Sequence, residues 1–177
     1  MRKKYKTIVA DPPWSYPESG GGNRVVNAHY KTMSNSDIYN MPVSDIADKD
    51  CVLYLWATAP KLDIAMRTIA EWGFRYKTCA VWDKGIIGMG YWFRGQHELL
   101  LVGTRGKVTA PATHLRVSSI IKERRTKHSK KPDCVQDMIM GWFPDSPRVE
   151  LFARREREGW DVWGNEVRCT AELASDL

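Results

Sequence analysis

Four consecutive residues, Asp11-Pro12-Pro13-Trp14, follow directly on the apolar run Thr7-Ile8-Val9-Ala10. Two prolines cannot continue a strand ladder, so a strand must end at Ala10. They also fix φ and remove two N–H donors. What remains is a stiff turn at the carboxyl end of a strand, carrying a carboxylate, bare carbonyl oxygens and an aromatic face. In a chain of 177 residues, average usage gives this tetrapeptide by chance with probability on the order of 10⁻³ or less. Acceptors beside a stacking surface suit a planar ring bearing an NH₂ group. The lone pair of such an amine is delocalised into its ring and is a poor nucleophile. Two acceptors on its hydrogens draw the nitrogen towards sp³ and free the lone pair for attack. Asp11, Pro12, Pro13 and Trp14 are therefore the candidate catalytic residues.

Two further groupings stand at expected element ends. Lys131 precedes Pro132, which suits the first position of a helix. Free N–H groups, the helix dipole and a lysine there make an anion site. Glu150-Leu151-Phe152-Ala153-Arg154 reads as a buried strand that ends in charge, with Arg154 at its carboxyl edge. Asn165 and Glu166 follow the expected strand Trp160 to Trp163 in the same sense, and neighbouring amide and carboxylate acceptors suit a sugar diol. The four cysteines, Cys51, Cys79, Cys134 and Cys169, are far apart and histidine is scarce. That spacing argues for reduced thiols and no metal site.

Alternating short apolar runs and helical patterns must position these groups. They predict an α/β fold with a mainly parallel sheet and helices on both faces. Expected strands are 6–10, 51–56, 78–82, 98–103, 148–153 and 160–163. Leu62, Ala65, Met66, Ile69 and Trp72 recur at helical spacing and Gly73 follows as a stop. A second helix runs from about Asp133 to Met140, closed by Gly141, and a short third starts after Ser34 with Asp37 completing a capping box. Residues 15–30 and 106–130 lack periodicity and read as loops for substrate or cofactor, each following a strand end where ligands of open α/β sheets bind. Length and composition fit one domain over 1–177.

The longest apolar run, Cys51 to Ala57, is far short of the ~20 residues that span a bilayer. No signal peptide is legible at the basic N-terminus. The chain reads as cytoplasmic, without a membrane partner. Net charge is +6, from 27 Lys and Arg against 21 Asp and Glu. Residues Lys122 to Lys131 carry +5 of it, so the remainder is nearly neutral. A concentrated basic segment points to a polyanion, and eight tryptophans supply rings able to stack on bases.

The chain resembles the MT-A70 family of adenine-N6 methyltransferases along nearly its whole length. The resemblance starts with the first strand and Asp11-Pro12-Pro13-Trp14. It continues through His29-Tyr30-Lys31-Thr32-Met33-Ser34, Leu53-Tyr54-Leu55-Trp56-Ala57-Thr58, Glu71-Trp72-Gly73-Phe74, Gly90-Tyr91-Trp92-Phe93 and His97-Glu98. It ends with Lys131-Pro132, Glu150-Leu151-Phe152-Ala153-Arg154 and Gly164-Asn165-Glu166. The resemblance implies a Rossmann-like methyltransferase fold with S-adenosylmethionine as cofactor, in a permuted order with the catalytic turn first and the main cofactor strands last. It implies that Asp11 accepts from the adenine amine and lies near the cofactor ammonium, with the Pro12 carbonyl as second acceptor and Trp14 as stacking ring. It implies Lys131, Glu150, Phe152, Arg154, Asn165 and Glu166 on the cofactor, with Lys131 at its carboxylate. Tyr30 and Trp92 would meet the target base, and Arg94, Arg125 and Lys127 the phosphates. The expected partner is nucleic acid, DNA ahead of RNA, with a homo- or heterodimer open. The rivals are an RNA adenine methyltransferase and a non-catalytic nucleic-acid-binding subunit of a heterodimer.

Overall fold

The computed structural model describes residues 3–16, 32–126 and 130–173. Seven strands form one sheet: β1 (Tyr5–Ala10), β2 (Ala47–Ala57), β3 (Arg75–Asp83), β4 (His97–Arg105), β5 (Ile120–Lys122), β6 (Arg148–Leu151) and β7 (Asp161–Trp163). Their order is β5-β3-β4-β2-β1-β6-β7. Pairs β1–β2, β1–β6, β6–β7 and β3–β5 are parallel, and β4 runs against both its neighbours. The carboxyl ends of the six co-directional strands and the start of β4 therefore share one edge. Turn Asp11–Trp14 lies on that edge, in the middle of the sheet.

Three helices, α1 (Asn35–Tyr39), α2 (Leu62–Glu71) and α3 (Asp133–Trp142), cover both faces. Burial on both sides is what the apolar runs demand. Along β2, Leu53, Leu55 and Ala57 face one core with Ile38 of α1 and Ile69 of α2. Val52, Tyr54 and Trp56 face the other with Val135 and Ile139 of α3. Each fully buried Leu or Ile here contributes about 1.5–3 kcal/mol. Ser34 caps α1, accepting from Asp37 N and donating to Asp37 Oδ2. Gly73 stops α2 with φ +80. Among the described residues no helix is long and apolar enough to cross a membrane.

Two expectations are corrected, the end of α3 and the course of 106–130. Helix α3 does not stop at Met140: it passes through Gly141 to Trp142. Glycine in a last turn costs only about 1 kcal/mol, and Trp142 is anchored by a hydrogen bond from Nε1 to the Leu115 carbonyl (2.8 Å) and by Tyr54, 6.4 Å away between ring centres. Of the residues at helical spacing in α2, Ala65, Ile69 and Trp72 are buried, and Leu62 and Met66 stand on the outer side. Residues 106–130 are not one loop at the ligand edge. Because β4 is reversed, Gly106 leaves from the opposite edge, where Lys107 N donates to Asp50 Oδ1 (2.7 Å). The segment then returns through β5, so only its last part, from Lys122, reaches the edge that carries Asp11.

Candidate active site

Asp11 follows directly on β1, hydrogen-bonded through its N–H to the Leu151 carbonyl at the end of β6 (3.4 Å). The double proline does what its chemistry requires. The Pro12 carbonyl accepts from Trp14 N (2.8 Å) and the Pro13 carbonyl from Met33 N (3.0 Å), which pins the turn with no ladder partner on the prolines' own nitrogens. Trp14 departs from expectation. Its indole is only 6% exposed, packs in the core, and donates from Nε1 to the Trp56 carbonyl (3.2 Å). Trp14 anchors the turn and is not an open stacking platform.

Lys131 reaches across the sheet edge from the approach to α3. Its Nζ donates to Asp11 Oδ2 (2.7 Å), lies 3.3 Å from Glu98 Oε2, and sits over the Trp56 ring at 5.7 Å from its centre. Lys84 pairs with the other Glu98 oxygen at 3.3 Å. The three central side chains are 16–19% exposed. Burial alone would lower the Lys131 pKa, but the Asp11 and Glu98 carboxylates outweigh it and hold the ammonium above its ordinary value. The Asp11 carboxylate keeps Oδ1 free of protein partners among the described residues. Tyr16 stands nearby, its hydroxyl 2.6 Å from Thr58 Oγ1, and burial raises its pKa so that it stays a neutral phenol.

Beside Asp11 a cleft of about 440 Å³ opens at the ends of β1, β6 and β7. Its walls are Asp11, Pro13, Met33, Phe152, Ala153, Arg154, Trp163, Gly164, Asn165 and Glu166. The backbone there is unusual. Phe152 holds φ at 62, in the left-handed region that side chains seldom adopt. That conformation ends β6 at Leu151, short of the expected Ala153, and sets the Phe152 ring edge-on to Trp163 at 5.5 Å. Gly164 fits against Ala153 so closely that a Cβ would lie 2.3 Å from the Ala153 carbonyl oxygen. Arg154 and Glu166 pair across the cleft mouth at 3.7 Å.

Of the expected cofactor residues, Asp11, Phe152, Arg154, Asn165 and Glu166 meet on this cleft, and Lys131 touches Asp11 from behind. Glu150 lies outside the lining. It accepts from Gln136 Nε2 of α3 (2.6 Å), and burial raises its pKa although that bond opposes the shift. Trp92 and Arg94 lie on the β3–β4 connection, exposed, and Arg125 borders its base, donating from N to the Lys84 carbonyl (3.0 Å). Tyr30 and Lys127, with most of 15–30, lie outside the described residues. No site role was assigned from the sequence to Glu98, Met33, Trp163 or Gly164, although all but Trp163 stand in the family motifs quoted above. Glu98 carried a further signal, a carboxylate at the start of an apolar run.

The donor set fits S-adenosylmethionine. A carboxylate answers its ammonium, an amide and a carboxylate answer its ribose diol, and Phe152, Trp163 and Met33 answer its flat base. The volume lies within the roughly 300–1,000 Å³ of small-molecule sites.

The family model described as MT-A70 matches residues 5–166. A type II methyltransferase, M.MunI, from Mycoplasma sp is 35% identical over 94% of this chain and 79% of its own length. The human N(6)-adenine-specific methyltransferase METTL4 is 26% identical over 94% of this chain, which spans 38% of it. The human N(6)-adenosine-methyltransferase catalytic subunit METTL3 is 26% identical over 93% of this chain, which spans 28% of it.

Proposed function

The chain belongs to the MT-A70 family and is an S-adenosylmethionine-dependent adenine-N6 methyltransferase; on that premise we propose that it methylates DNA, with cofactor in the β1–β6–β7 cleft and the adenine amine at Asp11. The observation that carries this reading is the position of Asp11. Its carboxylate lines the cleft while Lys131 holds one of its oxygens. When bound, the cofactor supplies an electrophilic sulfonium methyl.

The protein's own groups do the rest. Lys131, itself fixed by Glu98, keeps the Asp11 carboxylate aimed. Oδ1 then accepts one amine hydrogen, and a turn carbonyl accepts the other. The Pro12 carbonyl keeps a second lone pair beyond the one used by Trp14 N. Positioning and polarisation of this kind supply most of the catalysis for a direct transfer. Glu166 and Asn165 bind and orient the ribose, and Arg154 holds Glu166 in place. Trp92 contacts the target base, and Arg94, Arg125 and Lys127 the phosphates. The basic run from Lys122 and the exposed rings of the β3–β4 connection support a nucleic-acid polymer as substrate, and the assay below separates DNA from RNA.

The test incubates the chain with methyl-labelled S-adenosylmethionine and single-stranded DNA, duplex DNA or RNA, followed by nucleoside mass spectrometry. We expect labelled N6-methyladenine from DNA, reduced on the order of 10²–10³-fold in Asp11→Ala, the scale of losing one polarising group. Product from RNA alone would overturn the DNA assignment. Unchanged product in Asp11→Ala would remove Asp11 from the mechanism.

A further inference from the structure

The connection between β3 and β4 is built rather than slack. The ladder continues beyond Asp83 and His97 with Lys84 N to the Gln96 carbonyl (2.9 Å), Gly88 N to the Gly95 carbonyl (2.9 Å) and Gly95 N to the Met89 carbonyl (3.2 Å). Asp83 Oδ1 fastens its base, accepting from Gly85 N and Gln96 Nε2, both at 2.9 Å. At the tip, a Cβ on Gly90 would lie 2.0 Å from the Phe93 carbonyl oxygen, so the tight fold needs glycine there. This hairpin presents Tyr91, Trp92 and Phe93 at 98%, 94% and 89% exposure. Were the tip laid on the body, one of three consecutive side chains would be covered. It therefore stands clear of the body.

Three adjacent aromatics in water are costly to leave exposed and mark a contact site. The charges around them say what kind. Arg94, Lys122 and Arg124 are exposed, and Arg125 is partly so. The basic strand is tied to the hairpin: Trp82 Nε1 donates to the Glu123 carbonyl (2.7 Å), and Arg124 packs 3.8 Å from where a Gly85 side chain would start. Trp82 in turn meets Trp56 edge-on at 5.9 Å, and Lys131 sits over that ring. The hairpin therefore rises from the same edge, and the same packed group, that holds Asp11. Apolar rings framed by cations suit a polymer of stacked bases with a phosphate backbone. A projecting tip can enter a stack, whereas a flat platform cannot.

We propose that Tyr91 and Phe93, on either side of Trp92 at the tip, form a wedge that enters duplex DNA beside the target and fills the space left when the adenine turns out to Asp11. The inference rests on the DNA methyltransferase reading. It adds that the enzyme opens a duplex itself, since a paired adenine cannot offer its amine, and it assigns Tyr91 and Phe93 a part in that step.

The experiment replaces the methylated adenine of a duplex by 2-aminopurine and follows its fluorescence on titration with wild type and Tyr91→Ala/Phe93→Ala. The same proteins are assayed for methylation of duplex and single-stranded DNA, cofactor binding and sedimentation. Wild type should raise the fluorescence several-fold. The variant should lose that rise and lose roughly ten-fold or more in duplex relative to single-strand methylation, the scale of removed stacking contacts, while binding cofactor as before. An unchanged fluorescence rise and unchanged duplex preference in the variant would overturn the wedge. A changed sedimentation with unchanged duplex activity would make the tip a protein interface instead and overturn it too. Methylation of single strands alone by wild type would overturn the wedge and leave the methyltransferase reading standing. Methylation of no polymer by wild type would fail that reading, and the wedge with it.

Discussion

The cleft at β1, β6 and β7 and the β3–β4 hairpin rise from one edge of one sheet, yet they are built on opposite principles. In the cleft region the charged groups are paired: Lys131 with Asp11 and Glu98, Arg154 with Glu166. Its backbone is committed, with Phe152 at φ 62 and Gly164 against Ala153. The hairpin leaves three aromatics in water and cations beside them. A small ligand of fixed shape rewards a preorganised cradle, because little is left to order on binding. A polymer brings its own counter-charges and rings, and a surface meant for it is left open until it arrives.

This contrast can be broken most readily at Lys131. Lys131→Met leaves the Asp11 carboxylate without its cation and Glu98 with Lys84 alone. We expect a loss of about 3 kcal/mol, the lower end for breaking a buried pair, measured by urea unfolding. The sign with pH is fixed. The folded pKa lies above the ordinary 10.5, so the stabilisation is complete below 10.5 and disappears as pH rises through the raised value. The variant should lack that alkaline decline, and a variant as stable as wild type at pH 7 would show the pair to be ornamental.

Gly164→Ala comes next. Its new methyl meets backbone rather than a flexible side chain, so the ends of β6 and β7 must part. Overpacking of this kind costs about 1–3 kcal/mol, and calorimetry should show weakened cofactor binding alongside it. Full retention of both would mean that the cradle is not rigid. The smallest effect is expected at the hairpin. Tyr91→Ala/Phe93→Ala should change unfolding free energy by no more than about 0.5 kcal/mol, as for surface positions. A larger loss would mean that the tip packs on the body, and the contrast between the two regions would fall.

Much of the sheet was legible in the chain. The runs Thr7–Ala10 and Cys51–Ala57 are apolar and β-branched enough to be strands buried on both faces, and Ser34 with Asp37 and the glycine after Trp72 announce helix ends through local chemistry alone. The short β5 was not legible, because three residues on a sheet edge carry no period. The run past Gly141 was not legible either, because Trp142 is held by Leu115 and Tyr54, partners remote in sequence. Asp11-Pro12-Pro13-Trp14 announced a rigid acceptor turn, since two prolines dictate φ and donor count wherever they stand. The depth of Trp14 was not announced, because an aromatic ring is equally suited to a core or to a base.

The sequence by itself determined the turn at Asp11, the strands that lead to it, the excess of positive charge before α3 and the family to which these belong. All follow from residue chemistry acting within a few positions. Only the tertiary structure decided that Lys131 leaves the basic run to join Asp11 and Glu98, that 106–130 begins at the far edge, and that the aromatic hairpin shares an edge with the cleft. Each of these depends on β4 running against its neighbours. Strand direction is settled by how distant segments pair to bury both faces of the sheet, a choice that no local stretch of sequence records.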